Sequence, residues 1–464
     1  MDVRSKCKLS KLLIVVAIVG LLTPVAVFAD AAADAAYEAR IRKLEGQVRS
    51  LFNEMAKLKA DRAKQPAAPA APAVDQEQVA RMVAKAIAES DVAPGDVPQW
   101  VKKMRWSGDF RYRHESLNAN ELEGDNLLNE RRRNRIRARL QLDVKVDKEW
   151  DAVFRIASGS SETPTSTNQT LGESSSSGEA FSSKQLWLDL AYAIWHPDAY
   201  PDFRLTMGKI KNPFYRVGKN ELIWDSDVNP EGGAFSYKKN LDGSTVASLV
   251  GGAFWLVERS IDADAGYFGI QGKLKRKFSN GSHLLGGVSY YDIGNIHSNA
   301  ALGTVTFQGN SVKTVAGAPA YRYDYDLVEF FGEYGFRCGP MPVALFANYI
   351  ENTVAAGSAN TAYFFGVQLN KAKAPGSWQF KASYRDVQSD AVFGGLSDSD
   401  FIDGGTGGKG WELAYKYQMT KNINCALTYF IDVRDRRLLS SETSGGSGSQ
   451  YFNRLQADLV FKFK

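Results

Sequence analysis

The sequence predicts an all-β transmembrane barrel of about 16 antiparallel strands, preceded by a short N-terminal α-helical coiled coil. Three observations predict it: a leader segment of secretory layout, a two-residue alternation of apolar and polar side chains from about residue 100 to the end, and connections that alternate between short and long.

The leader comes first. Arg4, Lys6, Lys8 and Lys11 precede an apolar run from Leu12 to Leu22, Pro24 breaks it, and Val27-Phe28-Ala29 offers small residues at the −3 and −1 positions. That is the layout of a signal peptide, so residues 1–29 are expected to be removed. The competing reading, a retained anchor, is disfavoured by a run that barely spans a bilayer and contains Gly20. Without the leader the formal charge falls from +5 to about +2. A balance so near neutral gives no reason to expect a nucleic-acid partner. Cys7 is too early for a lipid-acceptor cysteine. Cys338 and Cys425 allow one disulfide but no disulfide framework.

Residues 30–64 read as a helix expected to lie in the periplasm. Ile41, Leu44, Val48, Leu51, Met55 and Leu58 recur at alternating spacings of three and four, a heptad seam with charged residues outside it. A single amphipathic helix packed on another surface is the alternative. Residues 65–99 hold a stiff Pro/Ala spacer, PAAPAAPA, and a second short amphipathic helix from Asp75 to Glu89.

From residue 100 to 464 the period becomes two. Trp106, Gly108, Phe110 and Tyr112 alternate with Ser107, Asp109, Arg111 and Arg113. Ile136, Ala138, Leu140, Leu142, Val144 and Val146 alternate with Arg135, Arg137, Arg139, Gln141, Asp143, Lys145 and Asp147. Successive side chains of a strand point to opposite faces, so one face is apolar and the other charged. Comparable segments recur to the C-terminus, many longer than ordinary soluble strands. No apolar run reaches the roughly 18 residues of a transmembrane helix. Short connections such as 147–149, 242–243 and 279–281 alternate with long ones at 116–130, 159–183, 210–233, 293–324, 388–408 and 435–449. Outer-membrane barrels pair short periplasmic turns with longer external loops in this way. Trp106, Tyr112, Trp150, Tyr192, Trp378, Tyr384, Trp411 and Tyr429 lie near strand ends, where interfacial aromatics are expected.

Two sets of residues are candidates for function. Arg111, Arg113, Arg133, Arg135, Arg137, Arg139 and Arg155 share the parity of the non-lipid face. One reading is a basic pore wall that favours anions. The other is a set of internal ion pairs with Asp109, Asp143, Asp151 and Asp189. Both can hold for different members. The connection 210–233 carries Asp225, Asp227 and Glu231 beside Phe214, Tyr215 and Trp224. It is expected to fold inward and narrow the channel, with its acids opposite the arginines; a loop on the rim or on a neighbouring subunit is the alternative.

The segments FRYRHE, RNRIRARLQLDVKVDKEWDAVFRIASG, PTSTNQTLG, FSSKQLWLDLAY, GKIKNPFY and LIWDSDVNPEG resemble the putative-porin family of Gram-negative outer membranes, whose members often carry an N-terminal coiled coil. The resemblance covers roughly 100–464 and is densest from 106 to 236. It implies a passive outer-membrane channel for small polar or anionic solutes. Outer-membrane lipid would be its surroundings, with a homo-oligomer, by analogy a trimer, as its assembly. One departure is the C-terminus, Phe461-Lys462-Phe463-Lys464, where Lys464 displaces the usual terminal aromatic.

An enzyme is not expected. The four histidines, His114, His196, His283 and His297, have no catalytic or metal spacing, and GxSxG, HExxH and CxxC are absent. No cofactor or metal is expected. A structural alternative remains, in which the barrel anchors a tether and the N-terminal helix contacts the cell wall.

Overall fold

A computed structural model describes residues 99–121, 127–159, 164–172, 181, 183–302, 307–355, 357, 359–434 and 450–463. The leader, the heptad seam and the Pro/Ala spacer lie outside the described residues. Of the unit up to Lys102, only one helical turn, α1 (Gln99–Lys102), is described.

The unit Lys103–Lys464 is a closed antiparallel barrel. Its wall contains β1 (Met104–Glu121), β2 (Leu127–Lys145), β3 (Trp150–Ser158), β5 (Leu186–Trp195), β6 (Phe203–Lys209), β7 (Glu231–Asn240), β8 (Thr245–Val257), β9 (Ala265–Lys277) and β10 (His283–Gly294). It continues through β13 (Tyr325–Cys338), β14 (Met341–Asn352), β15 (Thr361–Asn370), β16 (Trp378–Val387), β17 (Gly408–Gln418), β18 (Ile423–Arg434) and β19 (Gln450–Phe463). Each of these 16 strands pairs with its sequence neighbours in the ring, and β19 returns to β1. Three small strands belong to loops: β4 (Gln169–Thr170) extends the wall beside β2, and β11 (Val312–Val315) with β12 (Ala318–Tyr321) forms a hairpin.

The wall is inside out relative to a soluble sheet. Phe330 and Leu274 are each 55% exposed on the outer face, whereas Arg454 and Glu329 are 2% and 3% exposed on the inner one. A lipid-facing wall needs this inversion, because charge at mid-depth in hydrocarbon is expensive. Trp150, Trp195, Phe203 and Phe235 form a continuous aromatic row, with ring separations of 6.1, 6.4 and 6.5 Å. Tyr384 and Trp411 pack 5.2 Å apart with Phe365 beside them. Tyr192 departs from the expected girdle and packs against the interior core.

Other expectations also need correction. The connection at 116–130 is mostly strand: β1 runs on to Glu121 and β2 begins at Leu127, because Leu117 and Ala119 are buried and Glu115 pairs with Arg133 across the hairpin. His114 accordingly sits within β1. Cys338 and Cys425 are free thiols.

The seam closes where Gly108 of β1 stands opposite Phe463. A Cβ at Gly108 would lie 2.3 Å from the Arg139 carbonyl oxygen and 2.5 Å from the Phe463 ring. Gly108→Val is therefore expected to destabilise the barrel by about 2 kcal/mol through overpacking. Denaturant unfolding in detergent checks this, and an unshifted midpoint refutes it.

Candidate functional site: two inward loops against an arginine wall

The lumen is divided. Loop 210–230 and loop 388–407 fold into the barrel and pack on apolar inward residues of β8 to β16. Phe214, Val217, Leu222, Trp224, Val392, Phe393, Phe401 and Ile402 are buried there, with Phe254, Tyr267, Tyr291, Leu327, Phe346 and Phe364 of the wall. Phe214 stacks on Trp224 at 6.1 Å and meets Tyr291 edge-on at 5.0 Å. Burial of these side chains gives the loops the hydrophobic stabilisation of a soluble core.

Polar contacts fix the position of each loop. The Tyr215 backbone N–H donates to Gln271 Oε1 at 2.7 Å, and Gln271 Nε2 donates back to the Tyr215 carbonyl at 3.0 Å, which straps loop 210–230 to β9. Asp225 N donates to the Leu396 carbonyl at 2.7 Å, Ser399 N to Asp225 Oδ2 at 3.1 Å and Asp398 N to the Glu221 carbonyl at 3.1 Å. These bonds join the two loops. From the other side, Asn310 Nδ2 donates to the carbonyls of Ser389 and Val392 at 2.6 and 2.9 Å.

The arginines occupy the opposite wall, and all seven expected members have carboxylate partners. Arg137 and Arg139 share Asp109, at 2.9 and 2.8 Å, and lie 3.8 and 3.7 Å from Asp227 of loop 210–230. Arg113 donates to Asp458 at 2.7 Å and to Asp400 of loop 388–407 at 3.2 Å. Arg111 donates to Asn168 and lies 3.8 Å from Asp458. Arg133 pairs with Glu115, which lies 3.9 Å from Arg135. Arg155 pairs with Asp189, whose second oxygen accepts from Asn229 at 2.7 Å. Of the partners expected from sequence, Asp109 and Asp189 serve. Asp143 instead accepts from Gln141 at 2.9 Å, and Asp151 lies 3.1 Å from His196.

The three candidate acids separate. Asp227 faces the arginines. Asp225 is buried at the joint between the loops. Glu231 does not belong to the loop: it opens β7 and pairs with Lys209 of β6 at 2.5 Å. The connection 388–408 is legible in the sequence as a long loop, but its inward fold and its acids are not among the expected site. Three of its four acids, Asp398, Asp400 and Asp403, pair with Arg385, with Arg113 and Arg454, and with Arg454 respectively, and the fourth, Asp390, accepts from the Ser311 N–H at 2.9 Å. The signal was present in the apolar residues Val392, Phe393, Leu396, Phe401 and Ile402, which an exposed loop would not carry.

Between wall and loops lies a cavity of about 240 Å³, lined by Arg111, Arg113, Arg137, Lys219, Lys381 and Arg385 and by Glu221, Asp225, Asp227, Asp398, Asp400 and Glu412. Six cationic and six acidic side chains face it. Burial, and then the charge of Asp398, push the Glu221 carboxyl up to about 7. Burial, reinforced by Glu221, Asp227 and Asp398, also raises Asp225. Burial opposes ionisation of Asp227 and Asp400 too. There, however, Arg137 and Arg139 outweigh it for Asp227, Arg113 and Arg454 for Asp400, and both carboxyls are held below the ordinary range. The carboxylates of Glu221, Asp225 and Asp398 lie within 4.8 Å of one another. Arg216, 3.4 Å from Glu221, and Arg385, paired with Asp398, balance two of them. A second cavity of about 400 Å³ opens toward the short-turn rim. It is lined by Arg216, Lys219, His283, Arg337 and Lys371, with Glu333 as its carboxylate.

A protein-family model described as "Putative porin" matches residues 117–324 and 344–457. No curated protein matches the chain. Among solved structures, a double mutant of Rh. blastica porin is similar at 11% identity, covering 78% of this chain and 100% of that one, with a TM-score of 0.42. A loop-deletion mutant of OmpT from Vibrio cholerae gives 11%, 78%, 99% and 0.42 in the same order. OprB of Pseudomonas putida, in its high-pH structure, gives 11%, 78%, 95% and 0.48.

Asp400→Asn is expected to loosen loop 388–407 by about 2 kcal/mol, because hydrogen bonds to Arg113 and Arg454 lose their charge. Limited proteolysis of the solubilised barrel should then cut within 388–407 while the strands stay intact. Cleavage no faster than wild type refutes the anchoring role.

Proposed function

The chain belongs to the putative-porin family, and from that premise we propose that it is a passive outer-membrane channel for small polar solutes with a preference for anions. The observation that carries the anion preference is the lining of the cavity toward the short-turn rim, where Arg216, Lys219, Arg337 and Lys371 stand against Glu333. Clefts lined by one sign of charge concentrate the opposite ion. The narrower cavity has a different character. Its cations and acids balance, so it offers a field across the path rather than a net attraction. A solute crossing it must be small and able to exchange its water for both signs of charge.

In this reading the arginine wall and the two loops set the aperture, and Asp227 with Arg137 and Arg139 holds loop 210–230 at its working distance. Arginine suits that task, since its planar fork keeps fixed geometry with a carboxylate and never loses its charge.

The test is planar-bilayer recording across a potassium chloride gradient. Discrete open-channel steps and a reversal potential on the chloride side are expected. Absence of steps overturns the channel, and a potassium-side reversal potential overturns the anion preference. A pH series adds a second check. The raised Glu221 carboxyl is neutral below about pH 7 and charged above it, so the cavity loses negative charge as pH falls. Anion preference should therefore rise between pH 8 and pH 6, and Glu221→Gln should flatten the change. A step of equal size in the variant refutes the assignment to Glu221.

A further inference from the structure

Several lumenal lysines among the described residues lack a carboxylate of their own, and three of them, Lys219, Lys416 and Lys462, act on one another electrostatically. Lys219 stands at the tip of loop 210–230, where Gly218 and Lys219 both adopt left-handed backbone, with φ of 56° and 58°. Only glycine fits at 218, because a Cβ there would lie 2.5 Å from the Phe346 ring. Asn220 closes the turn, donating from its backbone N–H and from Nδ2 to the Val217 carbonyl, each at 3.0 Å. The tip is thus a fixed turn pressed on β14, and its lysine lines both the 240 Å³ and the 400 Å³ cavities.

Lys416 and Lys462 approach the same point from the wall. Lys416 alternates with the exposed Tyr415 and Tyr417, and Lys462 stands in register opposite the inward Asp109, so both lysines face the lumen. Lys416 is within electrostatic reach of Lys462 and Lys219. Lys381 adds a fourth ammonium nearby but is paired with Glu412 at 2.7 Å. Among the described residues, Lys219, Lys416 and Lys462 have no ion-pair partner. Burial, and then the charges of Lys381, Lys462 and Arg216, push the Lys219 ammonium below its ordinary value against the opposing charge of Glu221.

The contrast with the rest of the lumen gives this crowding its meaning. Every expected arginine has a carboxylate partner, and these lysines do not. Like charges held together by the fold are stabilised by a counter-ion that meets more than one of them. We propose that Lys219, which lines both cavities, forms with Lys416 and Lys462 of the wall a binding site for a small dianion, either phosphate or a dicarboxylate. The site rests on the anion-channel reading and names the class of solute it favours. A dianion neutralises two ammonium groups where chloride neutralises one. Lysine contacts are point charges without a fixed fork, so a bound ion can leave again, as conduction requires.

The experiment uses the full-length protein in planar bilayers in potassium chloride, with inorganic phosphate titrated in one series and succinate in another. In the wild type a dianion lodged at the site should reduce chloride conductance in a saturable way. In the double variant Lys219→Gln with Lys416→Gln the half-blocking concentration should rise roughly tenfold or more. Lys421→Gln, on an exposed turn, should leave it unchanged. Block by phosphate alone, succinate alone or both supports the site and says which source it takes. Clear chloride steps without block in the wild type, or equal block in the double variant, overturn the site while leaving the channel standing. Absence of steps in the wild type overturns the channel and the site with it. Should the double variant give no channels, Lys416→Gln alone, which leaves the loop tip intact, decides by the same comparison.

Discussion

Everything in this structure depends on closure of the sheet. In hydrocarbon an unpaired strand edge leaves peptide groups without hydrogen-bond partners, so a sheet that crosses a membrane must return to its first strand. Here the return is made by β19 pairing with β1 from Gln450 opposite Glu121 down to Phe463 opposite Gly108. Closure then assigns every side chain to lipid or to lumen by parity alone. That assignment sends Arg111, Arg113, Arg137 and Arg139 inward and Trp106, Phe110 and Leu140 outward, and neither set has another choice.

Closure also creates an interior that must be filled or kept open, and this barrel does both. On the side of β8 to β16 two loops bring in an apolar core, as if a small soluble domain had been packed inside the wall. On the side of β1, β2 and β19 the interior is ionic. The boundary between the two halves is held by charges that belong to both. Asp227 and Asp400 leave the apolar loops to meet arginines of the wall. A buried charge pair adds little net stability, but removing one partner is costly, so such pairs fix position more than they stabilise.

The legibility of the sequence follows this division. Strand alternation is written locally, one residue to the next, and the strand number and the inward arginines are readable from it, while the family is carried by the resemblance of whole segments such as RNRIRARLQLDVKVDKEWDAVFRIASG. Asp227 was readable as an acid that faces those arginines, because loop 210–230 is rich in aromatics that need burial. Other features were not local. Arg113 meets Asp458, 345 positions away, only because the barrel closes. Asp400 meets Arg454 only because loop 388–407 turns inward, and whether a loop does so depends on the apolar surface the lumen offers it. Glu231 is not legible as a wall residue because the strand extends three residues further back than the connection 210–233 suggests, which moves this side chain out of the loop and into the wall. The hairpin of β1 and β2 was read too short for the reason that ion pairs such as Glu115 with Arg133 can sustain a strand whose local sequence is polar.

The two kinds of cation in the lumen have different work to do. Arginine paired with carboxylate contributes geometry: its charge is spent on a fixed neighbour, and the wall it builds has little net field. Lysine without a partner contributes potential and leaves geometry loose. An interior made only of the first would be a rigid plug, and one made only of the second would repel its own loops. Placing one free lysine, Lys219, at the tip of a loop that arginine pairs hold in place, with Lys416 and Lys462 on the wall strands, solves both problems. In the proposed channel the aperture is set by residues that the passing ion does not need to disturb, and the attraction by lysines that have no ion-pair partner among the described residues.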